Sequence, residues 1–457
     1  MAQLSAARKA ALSTLLAARE RTAYVRELLN SPTSAPHLAA LSPEDRAFAA
    51  RLALGVTSTQ GTLDEAIDAH LRPGRPLDPE VRDALRVSAY EILFLGKSPF
   101  AAVSQGVELV RSRAKSASGL ANAVLRRVAE GRDAFMAASE AHRFGMPSWL
   151  VEYVRADLGD AGLERLGEAG LAQAPTYVAN NPAWMGDSRA REGFAAAGVS
   201  VEKHGSVPGA WLASDARSVA SCALFSGEEV QAVVADYGAQ LTAYLAAPAP
   251  GERVLEVGSG RGTKTILLAG HAHRAHGAAR IWALDVHAGK AKVASDRLAR
   301  ARVEGVTQVV GDAREPEVLD ELPPQLDCVL VDAPCTGTGT LRRHPEITWS
   351  LLPEDVSSCA RLQLQILRSV GPRVAPGGRL AYATCSVLRA EDEDVVAAFL
   401  ASPEGEGFEV VRASDVARDD DAAEELAGLE TTEGFMRTTP VPQGPDGHFC
   451  AVLRRSA

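Results

Sequence analysis

From about residue 230 onward, short apolar runs alternate with helical stretches, and no other feature limits the fold so strongly. The runs are "RVLEVG", "RIWALDV", "VTQVVGD", "DCVLVDAP" and "RLAYATCS", followed by "FEVVRA" and "HFCAVLRR". Continuous apolar strands separated by helices predict an α/β fold, a mostly parallel seven-stranded sheet covered on both faces. No long helix separates the last two runs, so an antiparallel closing strand is expected. Ligands of such sheets bind beyond the C-terminal ends of the strands. The polar residues at those ends are Glu256, Asp285, Asp312, Asp332 and Cys385.

At 457 residues the chain exceeds one ordinary core, so a multidomain protein is expected. Residues 1–138 read as an all-α domain, with apolar positions recurring at spacings of three and four. Ser42 before Pro43-Glu44-Asp45, and Asp78 before Pro79-Glu80, are helix starts. Residues 139–215 mix tryptophan, proline and asparagine and read as a small α+β connecting subdomain. Residues 216–457 form the α/β domain.

A net charge of −10 argues at first against a nucleic-acid partner. Its distribution reverses that reading. Residues 1–150 hold 19 Lys and Arg against 15 Asp and Glu, whereas residues 391–430 hold 14 acids and 2 arginines. That acidic stretch reads as a solvated helix and loop, and a basic face elsewhere remains available to RNA. No apolar run approaches the ~20 residues of a membrane helix, and the N-terminus lacks an apolar signal core. Six cysteines without a CxxC pair predict neither a disulfide framework nor a zinc site, so a reducing cytoplasm and no metal are expected.

The loop after the first strand reads "LEVGSGRGTKT". Its glycine spacing is neither that of the dinucleotide fingerprint nor that of the P-loop, where glycine rather than Thr263 would precede the lysine. An NTPase is the weaker reading. Gly258, Ser259, Gly260, Arg261, Gly262, Thr263 and Lys264 are the candidate cofactor loop. Asp285 is placed for the hydroxyls of a ribose, and Asp312 for an adenine amino group. Together they predict an adenosine cofactor without a triphosphate, S-adenosylmethionine.

Cys335 and Cys385 follow the fourth and fifth strands, at the same rim. The other cysteines, Cys222, Cys328, Cys359 and Cys450, lie in apolar or helical stretches and read as small buried hydrophobes. A thiolate that adds to carbon 6 of a pyrimidine makes carbon 5 enamine-like and able to attack an electrophilic methyl. Asp332 is placed for the edge of the base, where charge develops. A free thiol is only a few per cent ionised at neutral pH, and Lys264 nearby would raise that fraction. Chemistry alone leaves open which thiol attacks.

The segments "DCVLVDAPCTGTGTLRRHPEITW", "GGRLAYATCS" and "EGFMRTTPVPQGPDGHFCAVLRR" resemble the signatures of the RNA 5-methylcytosine methyltransferases of the NOL1/NOP2/Sun (Fmu) group. The N-terminal helices, "GLANAVLRR" especially, resemble a NusB-like RNA-binding domain. That combination marks the bacterial branch acting on small-subunit (16S) ribosomal RNA. The resemblance implies a Rossmann-like class I methyltransferase domain whose partner is RNA, 16S ribosomal RNA or an assembly intermediate of the small subunit. It assigns attack to Cys385 and product release to Cys335, with Asp332 as third catalytic candidate. Arg126, Arg127, Arg342 and Arg343 are the candidate RNA contacts, and a monomer is expected. Where the group usually has Ala-Ala-Pro-Gly-Gly-Lys-Thr, this chain has Gly258 to Thr265 without the proline. A non-catalytic assembly factor is the alternative.

Overall fold

Ser42 and Asp78 start helices as their sequence context predicts. The Ser42 hydroxyl accepts from the Asp45 N–H at 3.1 Å, ahead of the helix Pro43–Ser58. The Asp78 carboxylate accepts from the Glu80 N–H at 2.8 Å, ahead of Pro79–Leu93. Each cap satisfies a backbone donor that the first helical turn leaves free. The computed structural model describes residues 4–30, 36–72, 74, 76–96 and 98–457. The chain divides into two units, Met1–Ala172 with Leu341–Leu351, and Gln173–Thr340 with Leu352–Ala457.

The first unit is helical. The helices Ala6–Arg21, Pro43–Ser58, Pro79–Leu93, Pro99–Arg111 and Ser118–Glu130 enclose a core in which Leu52, Leu85, Leu109 and Leu125 are fully buried. Each such leucine contributes about 1.5–3 kcal/mol. Buried Glu91 is held by Arg8 through two hydrogen bonds of 2.7 and 2.5 Å. Segment 341–351 packs within this unit: Trp349 donates its ring N–H to the Ser58 carbonyl at 2.8 Å, and Arg26 donates to the carbonyls of Arg342 and Arg343. Of segment 139–215, the helix Ser148–Leu171, broken at Gly159, clusters with this unit.

The second unit holds two sheets. The smaller is antiparallel, of β1 (Thr176–Asn180), β2 (Val201–Lys203), β3 (Ala210–Ala213) and β4 (Ala232–Val234), in the order β2-β3-β1-β4. The larger contains β5 (Arg253–Val257), β6 (Arg280–Asp285), β7 (Val306–Val310), β8 (Leu326–Asp332), β9 (Val374–Thr384), β10 (Phe408–Val411), β11 (Met436–Thr438) and β12 (His448–Arg455). Its path runs β10-β12-β9-β8-β5-β6-β7. The pairs among β5 to β9 are parallel, and β10 and β12 are antiparallel. These seven are the strands read from the sequence. The eighth, β11, pairs with β12 alone; at three residues it leaves no apolar run to recognise.

Alternation within β8 shows both faces covered. Cys328 and Leu330 enter one core cluster, and Val329 and Val331 enter the other. From β5 the chain runs outward to β6 and β7, then returns to β8 on the opposite side of β5. That reversal opens a crevice at the C-terminal ends of β5 and β8.

Candidate functional site

Gly258 follows β5 and sits at the crevice with φ of 80°. A Cβ there would overlap the Asp332 carbonyl oxygen at the end of β8, so only glycine fits. Gly262, also at positive φ, starts the helix Thr263–Arg274. Asp285, at the end of β6, fastens the loop: its carboxylate accepts from the Gly260 N–H at 2.9 Å and from the His287 N–H at 2.8 Å. Arg261 is exposed, while its carbonyl and the Thr263 hydroxyl accept from Arg297.

Lys264 turns back to Asp332, 2.7 Å away. Burial works against its charge, but Asp332 and Cys385 outweigh burial and hold the ammonium above its usual value. Below it, Thr265 donates to buried Glu256 at 2.6 Å. Burial pushes Glu256 up to about 8.

The two candidate thiols meet. Cys335 and Cys385 have their sulfurs 3.2 Å apart, and the Cys385 N–H points at the Cys335 sulfur at 3.4 Å. The hydrogen bond from Cys335 holds Cys385 below the usual thiol range, and Lys264 acts in the same sense. The same hydrogen bond, then burial and the charges of Cys385 and Glu391, push Cys335 well above it. The one hydrogen bond thus couples the two thiols, favouring ionisation of Cys385 and opposing that of Cys335. Cys328 and Cys450 are fully buried and raised to about 11 and about 12 by burial; Cys222 is buried, and Cys359 is half-buried.

Three placements depart from expectation. Asp312 is paired at the surface with Arg314, two residues away, whose guanidinium approaches to 2.6 Å. Arg126 and Arg127 are exposed on the helix Ser118–Glu130, but Arg342 is buried at 7% exposure. The acidic stretch from 391 does not begin in solvent: Glu391, Asp392 and Glu393 are buried, because hydroxyls, an amide and Arg437 supply hydrogen bonds to them. Sequence reasoning missed Glu391 for that reason. The available signal was a hydroxyl beside each thiol, Thr336 and Ser386, able to serve a buried carboxylate.

The rim suits an adenosine cofactor. Asp285 offers acceptors for hydroxyls, and Val286 and Val310 stand 56% and 50% exposed at the ends of β6 and β7, an unusual apolar surface that fits a purine face. Among the described residues no His, Cys, Asp and Glu cluster is arranged to hold a metal ion, and no helix is long and apolar enough to cross a membrane.

A family model described as "16S rRNA methyltransferase RsmB/F" matches residues 243–454, and a NusB family model matches residues 5–130. The ribosomal RNA small subunit methyltransferase B of Thermus thermophilus is 34% identical over 357 residues, 78% of this chain and 79% of that one. The probable ribosomal RNA small subunit methyltransferase B of Bacillus subtilis is 28% identical and covers 98% of both chains. Among solved structures, PH0851 is 24% identical, covers all of both chains and has a TM-score of 0.74.

Proposed function

The chain belongs to the RsmB/F family of 16S rRNA methyltransferases, S-adenosylmethionine-dependent enzymes, and we propose that it methylates carbon 5 of a cytosine in 16S ribosomal RNA through Cys385. The observation that carries the reading is the pair of sulfurs 3.2 Å apart at the ends of β8 and β9, beside the Lys264–Asp332 pair.

Bound in the crevice, S-adenosylmethionine supplies an electrophilic methyl group. Asp285 would hold its ribose, with the Gly258–Lys264 loop around its remainder. Cys385, whose ionisation the Cys335 hydrogen bond and Lys264 favour, adds as its thiolate to carbon 6 of the cytosine. Carbon 5 then carries the nucleophilic electron pair. Asp332 faces the edge of the base where charge accumulates. After transfer, the carbon 5 proton passes to solvent water, its electron pair forms the carbon 5–carbon 6 double bond, and the carbon 6–sulfur bond breaks to return the Cys385 thiolate. The Cys335 S–H, hydrogen-bonded to the departing sulfur, stabilises it as an anion and so speeds release. A base paired within a helix must be extruded first, at a few kcal/mol.

Exposed Arg126 and Arg127 of the NusB-like region are proposed to meet RNA phosphates, and Arg343 is the candidate in segment 341–351. The protein is proposed to act as a monomer in the cytoplasm, on 16S RNA or on an assembly intermediate. Purified protein, S-adenosylmethionine and unmodified 16S RNA test the reading: nucleoside mass analysis is expected to find 5-methylcytidine, and none with Cys385→Ala. Methyl groups recovered on another base or atom contradict it.

A further inference from the structure

The two thiols follow paired strands, and backbone bonds from the Ala333 N–H to the Ala383 carbonyl and from the Gly339 N–H to the Cys385 carbonyl, both 2.9 Å, already join their loops; the sulfurs 3.2 Å apart sit beside a further, side-chain link. Glu391 lies behind both. One carboxylate oxygen accepts from the Thr336 N–H at 2.8 Å and from the Gln363 amide at 3.2 Å. The other accepts from the Thr336 hydroxyl and from the Ser386 hydroxyl at 2.7 Å. Thr336 is the residue after Cys335, and Ser386 is the residue after Cys385. The Glu391 carbonyl, in turn, accepts from the Tyr382 hydroxyl in β9.

This carboxylate is fully buried, and among the described residues no cation pairs with it. A bare buried carboxylate is costly, and four hydrogen-bond donors are what keeps it. A side chain needed only to fill space would be apolar at lower cost. Thr338 adds a second cross-link, 3.1 Å from the Ser386 hydroxyl and accepting from the Val387 N–H at 3.1 Å. The hydrogen bonds of the Glu391 carboxylate go to Thr336, Gln363 and Ser386 and not to a sulfur, and the side chain is fully buried.

We propose that Glu391 is a positioning residue of the transfer site: its carboxylate clamps the Cys335 loop to the Cys385 loop and sets the distance between the two thiols. The inference builds on the two-thiol reading above, in which Cys335 must reach Cys385 to release product. It has a charge component as well. The groups facing Cys385 are Cys335, Lys264, Asp332 and Glu391; Glu391 and Asp332 oppose its ionisation, and Lys264 and the Cys335 hydrogen bond favour it.

The test compares the full-length wild type with Glu391→Gln and Glu391→Ala. Phenylarsine oxide reads thiol spacing, because two adjacent thiols together displace its oxygen as water and bridge the arsenic. Iodoacetamide alkylation against pH reads the ionisation of Cys385. The wild type is expected to take up one arsenical at Cys335 and Cys385. Glu391→Gln keeps a carbonyl for the Thr336 and Gln363 N–H groups but removes the charge and turns an amide donor to the Thr336 and Ser386 hydroxyls, which then cannot donate to it, so bridging and kcat are expected to fall about tenfold, the weight of one hydrogen bond to a charged group. The KM for RNA stays as it was, and the alkylation midpoint moves to higher pH, because Cys385 loses the Cys335 hydrogen bond that favours its ionisation most, and this outweighs the loss of the Glu391 charge. Variants that bridge the arsenical like the wild type, with an unmoved midpoint and a kcat falling only with the folded fraction, overturn the clamp. If Glu391→Ala does not fold, Glu391→Gln decides alone. Loss of bridging in Glu391→Gln, together with a Cys335→Ala protein that never forms an RNA adduct at Cys385, overturns the nucleophile assignment and leaves the clamp supported.

Discussion

Glu256 and Cys385 show how burial sets the behaviour of single residues. Folded Glu256 keeps its proton up to about pH 8, whereas an ordinary carboxyl releases it near 4.5. Between those values the folded state binds more protons than the unfolded one. Stability therefore falls as pH rises through that window, and the loss is complete above it. Glu256→Gln retains an acceptor for Thr265 and removes the titration. The fall in Tm between about pH 5.5 and about pH 8.5 is expected to shrink in that variant, by differential scanning fluorimetry. An unchanged fall contradicts the burial argument. At this scale the sequence was only partly legible. The thiols and strand-end acids could be named from position, because strand ends in a parallel sheet face one crevice. The partner of each acid could not: Asp312 finds Arg314 two residues away, and Glu391 finds Thr336, 55 residues away.

The loop between β5 and the helix Thr263–Arg274 carries the departure from the family pattern. Its proline is missing, and its shape rests on positive φ at Gly258, Gly260 and Gly262, on Asp285 beneath Gly260, and on Arg297 against Thr263. Gly258→Ala places a methyl against the Asp332 carbonyl and adds about 1–2 kcal/mol of left-handed strain. S-adenosylmethionine affinity is expected to weaken at least tenfold by titration calorimetry, and an unchanged Kd contradicts the close approach. The seven long-path strands were legible because each is a short apolar run with its own boundary. β11 and the four short strands of the smaller sheet were not, because they lie among tryptophans, prolines and loops without the strand–helix alternation that marks the others, and long-range pairing decides them.

For the whole molecule, the acidic balance hides a mildly basic N-terminal region of NusB type. If exposed Arg126 and Arg127 meet phosphates, replacing both by glutamate weakens RNA binding across sequences. The slope of log affinity against log salt then falls by about 1 for each arginine. An unchanged slope removes them from the RNA surface. The catalytic cycle joins every level: a crevice set by strand order, a loop held by glycines, and two sulfurs 3.2 Å apart. Its most direct test is the fate of the RNA adduct on a denaturing gel. Cys335→Ala is expected to accumulate a covalent protein–RNA species that survives denaturation and vanishes when Cys385 is also replaced. An adduct that forms without Cys385 and requires Cys335 contradicts the account.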